Sequence, residues 1–337
     1  MKLETVLEFL TILLAGLMNG SFAVPMKWTR KWAWENIWLA WSLIALIFFP
    51  FLLTSFTIPH PAELYRQIDH AILVLVCLSG VGWGAGQLLF GLGIKRVGMA
   101  LGFAIVIGLA AVMGSLVPLA MVSGQAASRP SWQLIGGIVI VLAGVSICSY
   151  AGSLKDTDRS TSATDPRIGI LLCVLAGVGG ALINVGMVIG MPLARLASSE
   201  NVPLSQQTNL IWLPLLAAGF LTTAIYCSWL LTKNGTWRLF TAPGSLSHWF
   251  LAVVMAICWF GSVELYGMAV GGLGSWGPAL GWPIFLSSSI AGANAWGFAT
   301  GEWRHVKGRP LRMMLAGIGL LLIAMFVIGS SYRSAPA

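Results

Sequence analysis

Gly152-Ser-Leu-Lys155-Asp-Thr-Asp158-Arg159-Ser-Thr-Ser-Ala-Thr-Asp165-Pro166-Arg167 is the longest polar stretch of the chain, and it lies close to the midpoint. On either side the sequence runs as apolar segments of the ~20 residues that a helix needs to cross a bilayer. Five precede it, at 5–26, 36–58, 70–94, 98–122 and 132–151, and five follow, at 168–191, 208–232, 249–271, 276–299 and 311–331. The chain therefore reads as an all-α integral membrane protein with ten transmembrane helices. Residues 1–151 form a first five-helix unit, 152–167 a polar linker and 168–337 a second five-helix unit. The other connections are short and leave no room for an extramembrane domain.

Composition agrees. Of 337 residues, 57% are hydrophobic and 9% are charged, against ~25% charged in soluble domains. That excludes a cytosolic enzyme, and the hydrophobicity excludes a disordered chain. The net charge of +8 would suggest nucleic acid in a soluble protein. Here 14 of the 19 Lys and Arg residues fall in the odd-numbered connections. The positive-inside bias then places those connections, linker included, in the cytoplasm and both termini outside. The partner implied is the lipid bilayer, with no nucleic acid. Nine tryptophans near segment ends (Trp28, Trp32, Trp34, Trp38, Trp41, Trp132, Trp237, Trp249 and Trp303) read as an interfacial belt. The five cysteines are widely spaced in apolar stretches, without a CxxC pair or a Cys/His cluster, so neither a metal site nor a disulfide framework is expected. Residues 5–26 are too long for a signal-peptide core.

An internal match relates the two units. Gly98-Met-Ala-Leu-Gly102-Phe-Ala-Ile105 resembles Gly277-Pro-Ala-Leu-Gly281-Trp-Pro-Ile284, and the same offset pairs Gly82 with Gly261. A repeat with an odd number of crossings must be inverted in the membrane, a common transporter plan.

Polar residues inside the apolar segments carry the functional signal. Glu264 lies well inside the eighth segment, where an acidic side chain costs roughly 2.5–3.5 kcal/mol to insert. A carboxyl held there can bind and release a proton, and the alternative is a structural hydrogen bond between helices. Asn19 and Asn184 are the conspicuous amides in the first helix of each unit, joined by Gln87 and Asn294. Amides both donate and accept, which suits a hydroxyl-rich ligand, although they also serve as interhelical links. Trp83 lies one turn from Gln87, and Trp282 follows Pro278 and Pro283. Indoles stack on the C–H faces of pyranoses. Pro278 and Pro283 also make the ninth segment a candidate discontinuous helix lining a cavity. The glycines at 80, 82, 84 and 86 fall on two faces of the third helix and suit close helix packing. No catalytic or metal-binding constellation is present, so no enzyme and no cofactor are expected.

Three stretches resemble the bacterial L-rhamnose/proton symporter family of the drug/metabolite transporter superfamily. They are Phe22-Ala-Val-Pro25-Met-Lys27-Trp-Thr-Arg-Lys31-Trp32-Ala-Trp34-Glu35, Trp83-Gly84-Ala-Gly86 with Gly91-Leu92, Gly98-Met99, Gly102 and Ile107-Gly108, and Glu302-Trp303 with Gly308-Arg309-Pro310. The resemblance implies ten helices in two inverted repeats, alternating access, and uptake of a 6-deoxyhexose driven by protons. The expectation is a proton-coupled symporter for L-rhamnose or a related monosaccharide. Asn19, Trp83, Gln87, Asn184, Trp282 and Asn294 are its candidate sugar-binding residues, Glu264 its proton-coupling residue and H+ its coupling ion. The alternatives are a transporter of the same fold for another small molecule, such as an amino acid or metabolite, even an exporter, and a non-transporting membrane sensor.

Overall fold

The computed structural model describes residues 3–123, 132–155 and 166–331, and these are mostly helical, with short turns between helices and no strand among them. The first half begins with α1 (Leu3–Ser21), extended by a 3₁₀ turn (Val24–Trp28). The second crossing has three parts: α2 (Trp34–Leu43), a π-helical turn (Ile44–Phe48) and α3 (Phe49–Thr57). Pro50 sits in the first turn of α3. It cannot donate to the carbonyl one turn earlier, and the chain accommodates this by widening the preceding turn. A short α4 (Pro61–Gln67) leads into α5 (His70–Val97), α6 (Met99–Ser123) and α7 (Trp132–Lys155). The second half contains α8 (Pro166–Ile189), a short α9 (Met191–Ser199), α10 (Asn209–Asn234), α11 (Ser245–Gly272), α12 (Gly277–Ala299) and α13 (Arg309–Ser331). Positions 156–165, the centre of the expected linker, lie outside the described residues.

Among the described residues, nine stretches are long and apolar enough to cross a membrane. The expected ninth segment, α12, has the length, with 23 residues, but carries Ser287, Ser288, Ser289 and Asn294. It works from the inside of the bundle, with most of its residues buried. It is also continuous, contrary to the expected interruption. Pro278 occupies the first turn, where its missing N–H costs nothing, and the helix runs on through Pro283. The discontinuity lies in the second crossing instead.

Packing is interleaved between the halves. The third crossing, α5, lies against α8 and α10, while α11 lies against α1 and the α2–π-turn stretch. Helix α6 packs on α8 as α12 packs on α1, and α7 packs on α13. The alternating glycines explain how α5 serves two neighbours. Gly80 and Gly84, one turn apart, take the Leu215 and Gly219 carbonyls of α10, while Gly82 and Gly86 face Leu182 and Gly179 of α8. A Cβ on Gly86 would stand 3.0 Å from Gly179 Cα.

The tryptophan belt is only part of what was expected. Trp28, Trp34, Trp132 and Trp237 are exposed, but Trp32, Trp41 and Trp303 are buried. Trp32 is packed by Phe240, Trp249 and His248, and Trp41 by Trp38 and Trp259. Proximity to a helix end does not distinguish a ring facing lipid from one turned into the bundle.

Candidate functional site

A cavity of about 700 Å³ lies where α1, α5, α6, α8, α11 and α12 converge, within the ~300–1,000 Å³ typical of small-molecule pockets. All six expected ligand-binding residues, Asn19, Trp83, Gln87, Asn184, Trp282 and Asn294, line it.

Their hydrogen bonding divides them. Asn184 is 1% exposed and fully committed. Its Nδ2 donates to Gly114 O at 2.6 Å and Pro278 O at 3.2 Å, and its Oδ1 accepts from Tyr266 Oη at 2.6 Å. The reason is local. Pro118 inside α6 has no N–H for the Gly114 carbonyl, and the Asn184 amide fills the vacancy. Trp282 is likewise engaged, its Nε1 donating to Ala110 O at 2.9 Å and its ring lying on Phe285 at 5.6 Å. Asn19 Nδ2 donates to Ser262 Oγ at 3.2 Å, and Asn294 Nδ2 to Ile290 O at 2.9 Å within its own helix. Among the described residues neither Oδ1 accepts a hydrogen bond, and Gln87 makes none with either end of its amide.

An aromatic wall completes the pocket. The Trp83 and Trp259 rings are 5.4 Å apart, and Trp41 meets Trp259 edge-on at 5.7 Å. Trp41 and Trp212 line the cavity with buried indole N–H groups that have no partner among the described residues. Tyr266 and Trp41 were not among the expected site residues. Tyr266 lies two positions from Glu264 on the opposite side of α11, and its neighbour Asn184 is distant in sequence.

At one end the lining reaches Lys155, the last residue of α7, and Glu302 and Trp303 in the turn after α12. Glu302 bridges Lys27 and Lys155, at 2.5 and 3.1 Å, so a second-half carboxylate joins two first-half ammonium groups. The Lys27 ammonium, with Lys155 beside it, holds the Glu302 carboxyl below the usual carboxylate range despite partial burial. Lys155 Nζ also stands 5.1 Å from the centre of the Trp303 ring. Among the described residues, Lys155 and Glu302 are the only charged ones in the lining, and they leave it with no net charge.

Glu264 does not line this cavity. It faces the first turn of α10, where the Asn209 amide stands 2.7 Å from both carboxyl oxygens and 3.0 Å from Thr57 Oγ1. Two further bonds fix that turn. Thr54 Oγ1 donates to Asn209 O at 2.9 Å, and Tyr65 Oη donates at 2.8 Å to the Leu210 carbonyl that Pro214 cannot serve.

Spanning helices around a pocket of amides and indoles with no net charge define a carrier of a small polar molecule. The comparisons with known proteins make this specific. The profile of the family "L-rhamnose-proton symport protein (RhaT)" matches residues 1–334, and the chain belongs to that family, whose members are transporters rather than enzymes. An L-rhamnose-proton symporter of Cronobacter sakazakii is 24% identical over 321 residues, covering 91% of this chain and 92% of the relative. Those of Klebsiella pneumoniae subsp. pneumoniae and Salmonella typhi are each 22% identical over 324 residues, covering 93% of this chain and 94% of theirs. A solved crystal structure superposes with a TM-score of 0.57 over 98% of this chain and 99% of its own, at 15% identity, which shows the shared fold.

Proposed function

We propose that the protein imports L-rhamnose or a closely related monosaccharide across the bacterial inner membrane together with a proton, by alternating access of two inverted five-helix repeats. The observation that carries this reading is the cavity itself. It offers the whole Gln87 amide and the unengaged amide oxygens of Asn19 and Asn294, an indole wall at Trp83 and Trp259, and no net charge. A neutral hydroxylated ring needs donors and acceptors on its rim and apolar contact on its faces. A cationic or anionic metabolite would enter without a counter-charge.

The repeat is supported by the packing. Advancing each crossing by five exchanges α5–α8 contact with α11–α1 contact, and α6–α8 with α12–α1, while α7–α13 and α6–α12 are each returned to themselves. That is the relation expected of two equivalent units. Trp83, Gln87, Asn19 and Asn294 contact the sugar, Asn184 and Trp282 shape the pocket behind them, and Glu264 carries the coupling proton. By the Lys/Arg bias, the end of the cavity at Lys155 and Glu302 faces the cytoplasm.

The test is alkalinisation. Adding L-rhamnose to an anaerobic, lightly buffered suspension of energy-depleted cells making the protein raises the external pH, because each sugar enters with a proton. A panel of related sugars ranks the specificity. No pH change with L-rhamnose or any other deoxyhexose, despite normal membrane levels of the protein, would overturn the proposal.

A further inference from the structure

The contact between Glu264, Asn209 and Thr57 has an uneven number of hydrogens. Thr57 Oγ1 is 2.7 Å from Leu53 O and 3.0 Å from the Asn209 amide, but a hydroxyl has one proton to give. If it goes to Leu53 O, the Thr57 oxygen is an acceptor and Asn209 must turn its NH₂ toward it. The amide oxygen then faces Glu264, which has to be protonated to donate to it. If Asn209 instead turns its NH₂ to Glu264, it donates to both oxygens of an ionised carboxylate at 2.7 Å, and its own oxygen accepts from Thr57. Each arrangement pairs all of these side-chain groups. They differ by one proton on Glu264, a half-turn of one amide and a rotation of one hydroxyl. Only the amide nitrogen and oxygen of Asn209 exchange places; no backbone atom has to move.

We propose that Asn209 and Thr57 position the coupling proton, the amide presenting N–H to the ionised Glu264 and C=O to the protonated one and turning over with each proton taken up or released. This rests on the reading of Glu264 as the coupling residue. An amide is the neighbour such a site requires. A basic partner would favour only the ionised form, and an apolar partner only the neutral form, whereas a buried group left without a partner in either state is costly. No basic partner is present: among the described residues both salt bridges belong to Glu302. Of the elements around this part of α11, α1 presents Glu8 against Gly272, two turns further along. Helices α3 and α12 and the Leu204–Gln206 turn carry no titratable side chain, and Tyr65 of α4, beyond Asn209, is committed to Leu210 O. Thr57 ends the second crossing and Asn209 begins α10, so the hydroxyl and amide that respond to the proton join α3, α10 and α11.

The experiment measures sugar accumulation driven by an imposed pH gradient in proteoliposomes, across a pH series, with each protein normalised to its own maximum. The position of such a profile does not depend on how much protein folds. Removing the amide (Asn209→Leu) takes away the donor of the ionised carboxylate, and removing the hydroxyl (Thr57→Val) leaves the amide oxygen unpaired whenever its NH₂ turns to that carboxylate. The high-pH limb of the profile then moves upward by about one pH unit, and Thr57→Ser restores the original position. Profiles of Thr57→Val and Asn209→Leu superimposable on the wild type, with Glu264→Gln unable to accumulate sugar, would overturn this inference and leave Glu264 as the coupling residue. Normal accumulation by Glu264→Gln would overturn the coupling assignment itself.

Discussion

At the scale of single residues, the site is a set of amides with different obligations. Asn184 satisfies a carbonyl exposed by Pro118 and holds Tyr266, whereas Gln87 has no hydrogen-bond partner among the described residues. Substituting them separates folding from binding. Asn184→Ala leaves Gly114 O and Tyr266 Oη unsatisfied, at about 1–3 kcal/mol, and is expected to lower the thermal unfolding midpoint of the detergent-purified protein. Gln87→Ala removes no internal bond. It is expected to raise the apparent KM for sugar about tenfold, the equivalent of about 1.4 kcal/mol, with the midpoint unmoved. An equal loss of midpoint in both would contradict the division. The sequence shows each amide as a costly residue in an apolar helix, and all six expected residues do line one cavity. It does not show which amides the fold consumes. That depends on a proline in another helix, and no local spacing records it. Glu264 is legible for the same reason, as the acid deep in an apolar segment, but Asn209 and Thr57 look like ordinary helix-end polar residues. Glu302, Lys27 and Lys155 were legible only as loop charges. They meet because the ends of three helical segments converge at the cavity mouth.

At the scale of elements, periodicity and length located the helices well, because ~20 apolar residues have few other uses. The glycine run of α5 even announced two packing faces. Its test is a contrast within one helix. Gly86→Val drives a branched side chain into the Gly179 backbone and is expected to reduce the amount of folded protein several-fold, measured by monodisperse yield after detergent extraction. Gly91→Ala, where a Cβ meets nothing within 4 Å, should leave that yield unchanged. Comparable yields for both variants would show that the α5–α8 contact tolerates separation. The prolines were harder to read. Pro278 and Pro283 looked like an interruption, yet the first falls where helices accept proline and the second is carried within a continuous helix. Pro50 instead follows closely on a turn that has widened to a π turn, Ile44–Phe48. The consequence of a proline depends on whether another group can serve the carbonyl it frees, as Tyr65 does for Pro214 and Asn184 for Pro118.

At the scale of the whole molecule, the proposed orientation rests on charge: the basic connections would lie in the cytoplasm, on the side of the cavity mouth. A cysteine at Gly152, which lines that mouth with no neighbour within 4 Å of its Cβ position, is expected to react with a membrane-impermeant maleimide only after the cytoplasmic face is exposed. The assay uses a background with Cys77 and Cys258 replaced by alanine. Labelling in intact cells would invert the assignment. The internal repeat was visible as one short match, since helices that share a packing role need share only their small residues. The separation of Glu264 from the cavity has an energetic corollary on the proposed mechanism. Where two cargoes occupy one pocket, mutual exclusion or direct contact enforces their ratio. Here the ratio is enforced only by the stiffness of the helices between two compartments, so the chain behaves as a geared machine rather than a lock. Such a machine can slip: a looser seam between α10 and α11 would let protons run down their gradient with no sugar moved, and growth yield would fall before sugar affinity did.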